Sequence, residues 1–340
     1  MGKFKFFYMN AAEVLDTTIA IYKKSFAQQI AIAAIMAAVG IVLFLLVTFF
    51  VMVFGAVAFA NALAFDAFSG GFLAFLIIVG MIYLLGIAAF ASMQYAACMV
   101  VTKQAFFGQK LSVGKAFGES FRALGRMFTA TLAVILTYIP VVALIFAALF
   151  SFINTLMGTI DFLDLGAFFG TANSISQVIL LLIGLILGLV IIFLIVIGFL
   201  NLVQSFVCMA IPASLFEKRW FFGAIGRSAA LSKRNYFPIF GILILNVLMI
   251  MGIQYSLSGV FDIVAAFLPF AAEFLPVGAI AALSIVNIFG TIASLALLVL
   301  MIPIEVIFVT VLYMNQRIKH EGMDIEMGLE ELGAAQGWTL

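Results

Sequence analysis

The sequence predicts an all-α integral membrane protein with six transmembrane helices. The chain of 340 residues is 66% hydrophobic and 9% charged, whereas soluble domains are about 45–50% apolar and about 25% charged. Six apolar runs reach the length of about 20 residues that a membrane-spanning helix needs. The Lys and Arg residues gather beside alternate connections between these runs. Together these observations exclude a water-soluble protein.

The six apolar runs define the predicted spans. Barrel strands are short and alternate in hydropathy, so runs of this length favour helices over a transmembrane barrel. Pro140, Pro212 and Pro303 fall inside three of the runs and predict kinks or interruptions, because proline removes a backbone donor. The predicted spans are residues 30–57, 72–101, 128–152, 178–212, 237–257 and 279–313.

The basic residues predict the orientation of the chain. All 16 Lys and Arg residues precede the first run, lie between the second and third or the fourth and fifth, or follow the sixth. The other three connections carry only acidic charges. The positive-inside rule therefore predicts that both termini are cytoplasmic. Short connections and this clear charge asymmetry are typical of a prokaryotic cytoplasmic (inner) membrane.

A repeated pattern precedes the first, third and fifth spans. Three sets of residues are spaced i, i+4, i+7, i+11, at intervals of 102 and 108 residues, with charged residues on the opposite helix face. The sets are Leu15, Ile19, Tyr22 and Phe26; Phe117, Phe121, Leu124 and Phe128; and Ile225, Ala229, Ser232 and Tyr236.

This pattern predicts three copies of one unit, an interfacial amphipathic helix followed by a transmembrane hairpin. The copies are residues 11–101, 112–212 and 221–314, within a membrane domain of residues 1–314. An acidic cytoplasmic tail of residues 315–340 follows. Three units of one orientation argue against an inverted-repeat transporter, which pairs halves of opposite topology.

No set of residues suited to catalysis is evident in the sequence. The single histidine, His320, is predicted to be a solvated residue of the tail, so neither a catalytic triad nor a histidine-rich metal site can form within the bilayer. Cys98 and Cys208 lie in apolar runs and are interpreted as small buried hydrophobic residues. A net charge of +1 argues against nucleic acid as a partner. The sequence thus predicts no enzyme, no cofactor and no metal site.

Glu305 is the most unusual residue of the spans, because an ionisable group inside a membrane indicates a functional site by default. It is a candidate for an ion or proton site, or for contact with a substrate headgroup. The alternative is a structural role, in which a protonated or hydrogen-bonded Glu305 packs against amide side chains. The intramembrane polar candidates are Glu305, Asn246, Asn287 and Gln204, with Asn201 and Gln254 as further partners for Glu305.

A second candidate surface consists of basic and aromatic residues near the predicted cytoplasmic interface. They are interpreted either as snorkelling charges with an aromatic anchor, or as a site for anionic lipid headgroups or a partner protein. The residues are Lys115, Arg122, Arg126, Arg219, Trp220, Arg227, Lys233 and Arg234. The acidic tail is expected either to cover this surface or to remain solvated.

Three stretches carry a resemblance to a known family. They are Glu13–Asp16 with Tyr22–Phe26, then Pro212, Glu217, Ala224–Ser228 and Leu231–Tyr236, and finally Tyr313, Arg317 and the Glu-Gly-Met-Asp-Ile-Glu segment from Glu321. These stretches resemble the membrane domain of glycerophosphoryl diester phosphodiesterases and its stand-alone, uncharacterised prokaryotic relatives.

The resemblance implies the fold of this membrane domain and a location in the membrane. In the enzymes of this family the chemistry belongs to a separate soluble barrel domain, which this sequence does not contain, so hydrolase activity is not implied. One position departs from the pattern: Asn315 stands where the family has Asp.

The function predicted is a non-enzymatic multi-pass scaffold or accessory subunit. Its expected partners are other membrane proteins or a second copy of itself, together with inner-leaflet lipid. The alternatives are a transporter or channel for a small hydrophobic or lipid-like substrate that uses Glu305, and an intramembrane enzyme acting on lipid.

Overall fold

The computed structural model describes residues 8–64, 70–109, 111–162, 174–273 and 279–322. These residues form eight helices: α1 (Ala11–Ala64), α2 (Gly70–Phe106), α3 (Val113–Phe162), α4 (Ser174–Val207), α5 (Ala210–Phe216), α6 (Phe221–Ser232), α7 (Tyr236–Glu273) and α8 (Ala279–Glu321). Within the described residues, six helices (α1, α2, α3, α4 with α5, α7 and α8) are long and apolar enough to cross a membrane. For these residues, the prediction of an all-helical protein with six helices able to span a membrane is confirmed.

The helices form one bundle that is packed most tightly at one end. α1 lies against α2 and α8, α2 also packs on α3, and α7 packs on α8. Met99 of α2, Met127 of α3, and Ile307 and Tyr313 of α8 are fully buried in one hydrophobic core at this end. We call this the basic end, because the Lys and Arg residues of the described chain lie there.

Away from the basic end, the same helices expose their apolar side chains. Phe49 of α1, Ile82 of α2, Phe146 of α3 and Leu194 of α4 are between 61% and 67% exposed. Phenylalanine and branched aliphatic side chains at such exposure match a surface that faces lipid tails, which are as apolar as leucine. These halves of the helices have little protein packed around them.

The three segments with repeated spacing are buried at positions one residue earlier than the sequence predicted. Phe26 and Phe121, which belong to the predicted apolar faces, are exposed. The spacing and the intervals of 102 and 108 residues recur in the buried residues, which are small at most positions. The buried sets are Val14, Thr18, Ile21 and Ser25; Ala116, Ser120, Ala123 and Met127; and Ala224, Ser228, Leu231 and Asn235.

Only the third of these segments is a separate helix, in contrast to the predicted unit. The first two segments are the opening turns of α1 and α3, each continuous with its span. The third segment, α6, ends at Ser232 before α7 begins at Tyr236. Pro238 accounts for this interruption, since its ring disfavours a helix that includes the carbonyl four residues earlier, at Arg234.

Of the three prolines predicted to disturb spans, Pro212 does so most clearly. α4 ends at Val207 and α5 begins at Ala210. The break includes Cys208, whose carbonyl lies four residues before Pro212 and would clash with the proline ring. Pro140 and Pro303 instead lie inside continuous helices.

Two helix ends have recognisable caps. At the start of α1, the backbone N–H of Asn10 donates to Glu13 Oε2 at 2.8 Å, and the N–H of Glu13 donates to Asn10 Oδ1 at 2.9 Å. This reciprocal pair is a capping box. At its other terminus, α8 ends before Gly322, which has a φ of 62°, a conformation that glycine adopts without strain.

The predicted boundary of the tail at residue 315 is wrong. α8 continues to Glu321, and Asn315, Gln316 and Ile318 are buried. The helix extends because these residues pack against the basic end instead of entering solvent. The remainder of the predicted acidic tail, residues 323–340, lies outside the described residues.

Candidate functional sites

Glu217 is the centre of a cluster of charged side chains at the basic end. It follows α5 directly, and its side chain is 13% exposed. Arg227 of α6 donates from Nε to both carboxylate oxygens, at 2.9 Å and 2.7 Å. Tyr313 of α8 donates its hydroxyl to Oε1 at 2.7 Å. A nearly buried carboxylate is thus satisfied by donors from two other helices.

Glu321 completes this cluster from the last turn of α8. It accepts a hydrogen bond from the Arg227 guanidinium and another from Arg317 Nε at 2.8 Å. Arg317 Nε also lies 3.8 Å from Glu217 Oε1. Partial burial opposes the charge of Arg227, but its hydrogen bonds to Glu217 and Glu321 outweigh this and raise its pKa above the usual value. We call Glu217, Arg227, Tyr313, Arg317 and Glu321 the Glu217 cluster.

The Glu217 cluster contains two carboxylates and two guanidinium groups, so its charges cancel. It joins the linker after α5, helix α6 and the end of α8. Lys218, in the linker that follows Glu217, has a φ of 57°, and Phe221, the first residue of α6, has a φ of 42°. A backbone of this kind costs energy in residues other than glycine and persists only where surrounding contacts hold it. The cluster supplies such contacts.

Asn315 fastens the beginning of the chain to α8. Its Oδ1 accepts from the backbone N–H of Met9 at 2.8 Å, and its Nδ2 donates to the carbonyl of Met9 at 2.9 Å. An amide matches both backbone groups, whereas a carboxylate has no proton for the carbonyl. The replacement of the Asp expected from the family resemblance therefore has a structural reason in this chain.

A second polar network surrounds Asn235, in the turn between α6 and α7. Its Nδ2 donates to Gln316 Oε1 at 3.0 Å and lies 2.9 Å from His320 Nε2. Lys319 Nζ donates to Asn235 Oδ1 at 2.8 Å. His320, predicted to be a solvated tail residue, is half-buried and belongs to the last turn of α8, which extends to Glu321 and places the imidazole beside this turn.

The predicted basic surface is divided by the structure. Arg227 is held within the Glu217 cluster, and Arg219 lies 3.9 Å from Glu217 with a side chain that is 59% exposed. Lys115, Arg122, Lys233 and Arg234 are exposed, and Arg126 is half-buried.

Trp220 connects two of the predicted basic segments. It is 58% exposed, and a methyl group placed at Gly125 of α3 would lie 3.9 Å from its indole Cη2. Gly125 lies beside Arg126 and one turn from Arg122 on the same helix. The indole therefore sits next to the two arginines of α3, with a partly exposed face.

Glu305 lines a cavity of about 230 Å³ between α2, α3, α4 and α8. Among the described residues it has no hydrogen bond or ion pair, and the hydrogen-bonded packing role considered for it is not observed. Gln204 lines the same cavity, but its Oε1 accepts from the Tyr138 hydroxyl. Asn201 donates to its own helix at Ile197. Glu305 thus faces the cavity without a partner.

The other intramembrane candidates do not join this cavity. Asn246 of α7 is 4% exposed, and its Oδ1 has no hydrogen-bond partner. The side chain of Asn287 lies outside the described residues. Of the predicted intramembrane set, the structure brings together only Glu305 and Gln204.

Four members of the Glu217 cluster were missed as site residues: Glu217, Tyr313, Arg317 and Glu321. A local signal was present in the sequence, since Tyr313, Arg317 and Glu321 are spaced four apart and share one helix face. Glu217 had no such signal, because it precedes Tyr313 by 96 residues. The motifs that carry the family resemblance contain all five residues of the cluster.

Comparisons with models of protein families, with curated proteins and with solved structures find no match to this chain. The resemblance described above therefore stays a hypothesis. Within the described residues, no group of three or more His, Cys, Asp or Glu side chains is arranged to hold a metal ion.

Proposed function

We propose that this protein is a non-enzymatic membrane scaffold or accessory subunit, which binds helices of other membrane proteins in a groove between α1 and α2. The groove has a volume of about 500 Å³ and is lined almost wholly by apolar side chains, including Phe44, Phe50 and Phe90. Gly40 packs against the Phe90 ring, whereas Gly86 lines the groove with open space beside it, and small residues let another helix approach closely. The groove is the observation that carries the proposal.

The rigid basic end supports a scaffold role for the apolar halves of the helices. The Glu217 cluster joins α6 to α8 there. The two hydrogen bonds between Asn315 and Met9 hold the residues just before α1 against α8. Away from this end, α1 and α2 expose apolar side chains such as Phe49 and Ile82. A partner helix in the groove would cover apolar surface without requiring the anchor to rearrange.

The proposed orientation places the basic end in the cytoplasm of a prokaryotic cell. It rests on the distribution of Lys and Arg and on the positive-inside rule. The exposed Arg122 and the neighbouring Trp220 and Arg126 then lie at the inner leaflet, where anionic headgroups attract basic side chains. We assign lipid contact to this surface, without Arg227, which is occupied by the Glu217 cluster.

We also infer that the chain contains three copies of one unit and belongs near the membrane domain of glycerophosphoryl diester phosphodiesterases. The equivalent buried positions Thr18, Ser120 and Ser228 support the repeat, since each carries a hydroxyl group at 0% exposure. The meeting of the motif residues in the Glu217 cluster supports the family, because one structural role explains their joint presence.

Photo-crosslinking from the groove tests the proposed function. A photoreactive phenylalanine analogue at Phe50, in the groove, is compared with the same analogue at Phe146 of α3, which is 67% exposed outside it. After irradiation in native membranes and purification in mild detergent, mass spectrometry identifies the adducts. The proposal expects one stoichiometric protein crosslinked from Phe50 and not from Phe146. Purification of the protein alone, with lipid adducts from both positions, would contradict it.

The Glu305 cavity supports a second candidate function, transport of a small lipid-like or hydrophobic substrate. The supporting observation is an intramembrane carboxylate without a partner in a cavity that four helices share. Glu305→Gln separates the two candidates: loss of transport with intact assembly favours a transporter, whereas unchanged transport or loss of assembly favours the scaffold.

A further inference from the structure

We propose that the Glu305 cavity binds a small primary ammonium group. The inference rests on the cavity of the second candidate function but not on transport, because binding is measured at equilibrium. The proposal therefore holds even if the protein transports no substrate. It is wrong if no amine binds, whether or not the protein transports a substrate.

The first step of the argument is charge. Glu305 has no cationic partner among the described residues, and the nearest basic residue along α8 is Arg317, twelve residues later and about 18 Å away. On α2, Lys103 follows Tyr95 by eight residues, or about 12 Å. Glu305 is exposed to the space of this cavity, and no lining side chain is cationic. An ammonium that enters the cavity would supply the counter-charge that favours the ionised carboxylate.

The second step concerns the neighbours of Glu305. Tyr95 lines the cavity and offers both a phenol oxygen and an aromatic face. An ammonium near such a face gains cation–π attraction, and its three N–H donors match the two carboxylate oxygens and the phenol. Two other acceptors of the cavity already hold hydrogen bonds, since Thr131 Oγ1 accepts from Ser92 at 2.9 Å and Gln204 Oε1 accepts from the Tyr138 hydroxyl.

This arrangement favours an ammonium over a metal ion. Calcium takes six to eight oxygen ligands, more than the carboxylate and phenol of this cavity leave open. A volume of about 230 Å³ holds several waters at about 30 Å³ each, and lies below the size of drug-like pockets. The apolar walls, which include Met99, Val134 and Val309, suit a short carbon chain on the amine.

Calorimetric titration of the purified full-length protein in detergent with propylammonium chloride tests the proposal. Propanol serves as the neutral analogue and sodium chloride as the inorganic cation. We expect saturable binding of propylammonium, no binding of propanol, and binding about tenfold to hundredfold weaker in Glu305→Gln, which loses one charge-assisted interaction. Glu119→Gln, which alters an exposed carboxylate of α3, is the matched control and should leave binding unchanged.

A measurement on the unmodified protein covers the case in which Glu305→Gln does not fold. Dicyclohexylcarbodiimide labels intramembrane carboxyl groups, and mass spectrometry locates the adduct. Propylammonium should slow labelling at Glu305, whereas propanol should not. The proposal is overturned by labelling that the amine does not slow, by equal binding to the Glu305→Gln variant, or by binding of sodium but not of propylammonium.

Discussion

At the basic end the side chain of Ile307 is fully buried, whereas Ile82, in the half of α2 that faces away from this end, is 64% exposed. Polar groups differ within this end, because Glu217 has partners from two helices, whereas Glu305, two residues before Ile307, has none among the described residues. Lipid gives no hydrophobic driving force between helices. The stability of the isolated chain must therefore come mainly from the basic end, and the other halves of the helices are left available for lipid or partner helices.

The largest expected effect comes from removing a buried side chain at the basic end. Ile307→Ala deletes a fully buried side chain and should lower the free energy of unfolding by about 2–5 kcal/mol. Ile82→Ala changes the same residue type in an exposed position and should change it by about 0.5 kcal/mol or less. Thermal unfolding of both purified variants in the same detergent measures the difference. Equal losses would show that the two regions contribute alike.

The Glu217 cluster should be nearly as important. Glu217→Ala leaves Arg227 and Tyr313 without their acceptor, and removing one partner of a largely buried ion pair costs about 3 kcal/mol. Glu119→Ala, in an exposed carboxylate of α3, is the matched control and should cost about 0.5 kcal/mol or less. The measurement is the midpoint of thermal unfolding. A loss of stability in Glu217→Ala no larger than that in Glu119→Ala would show that the cluster does not stabilise the fold.

Mutation of Asn315, which forms two hydrogen bonds with the backbone of Met9, should have a smaller effect on stability. Asn315→Asp introduces a buried carboxylate and leaves the Met9 carbonyl without a donor, which should cost about 2 kcal/mol. Asn10→Asp is the control, because Asp serves as well as Asn at a helix N-cap. Limited proteolysis near the N-terminus, together with thermal unfolding, reports the release of the first residues. A neutral Asn315→Asp would mean that the family residue fits this position equally well.

The number and the place of the membrane helices could be predicted from the sequence, because the composition and length of apolar runs determine them. The helix faces that are buried before the first, third and fifth spans lie one residue earlier than the sequence predicted. Hydropathy favoured large residues such as Leu15 and Phe117, but close helix packing at the basic end selects the small Thr18, Ser120 and Ser228. The side-chain size that fits where two helices cross depends on the partner helix. The periodicity of a single segment carries no information about that partner.

The candidate sites divide in the same way. Glu305 was predictable because a carboxylate within an apolar run is conspicuous without any knowledge of its neighbours. The contact between Arg227 and Glu321 was not predictable, because Glu321 follows Arg227 by 94 residues and only the folded chain brings them together. The side chain of Gln204 shows the same limit, because its bond with Tyr138 depends on the packing of α3 against α4.

The smallest effect compares Ser120 with Ser228, which are 108 residues apart, the interval of the predicted repeat. Both are fully buried. Ser228 bridges the break between α4 and α5, since its hydroxyl donates to the Phe206 carbonyl at 2.6 Å and accepts from the Met209 N–H at 3.1 Å. Among the described residues, the hydroxyl of Ser120 bonds only to the Ala116 carbonyl of its own helix, at 2.7 Å.

Ser228→Ala should therefore cost about 1 kcal/mol or somewhat more, because the Met209 N–H loses its acceptor inside the protein. Ser120→Ala should cost distinctly less, since the Ala116 carbonyl keeps its place in the α3 ladder and alanine is the better helix former. Thermal unfolding of the two variants measures the difference. Hydrogen exchange at Met209, faster in Ser228→Ala alone, would locate the loss at the break. Equal effects would indicate that burial, rather than the bridge between α4 and α5, determines the contribution of these serines.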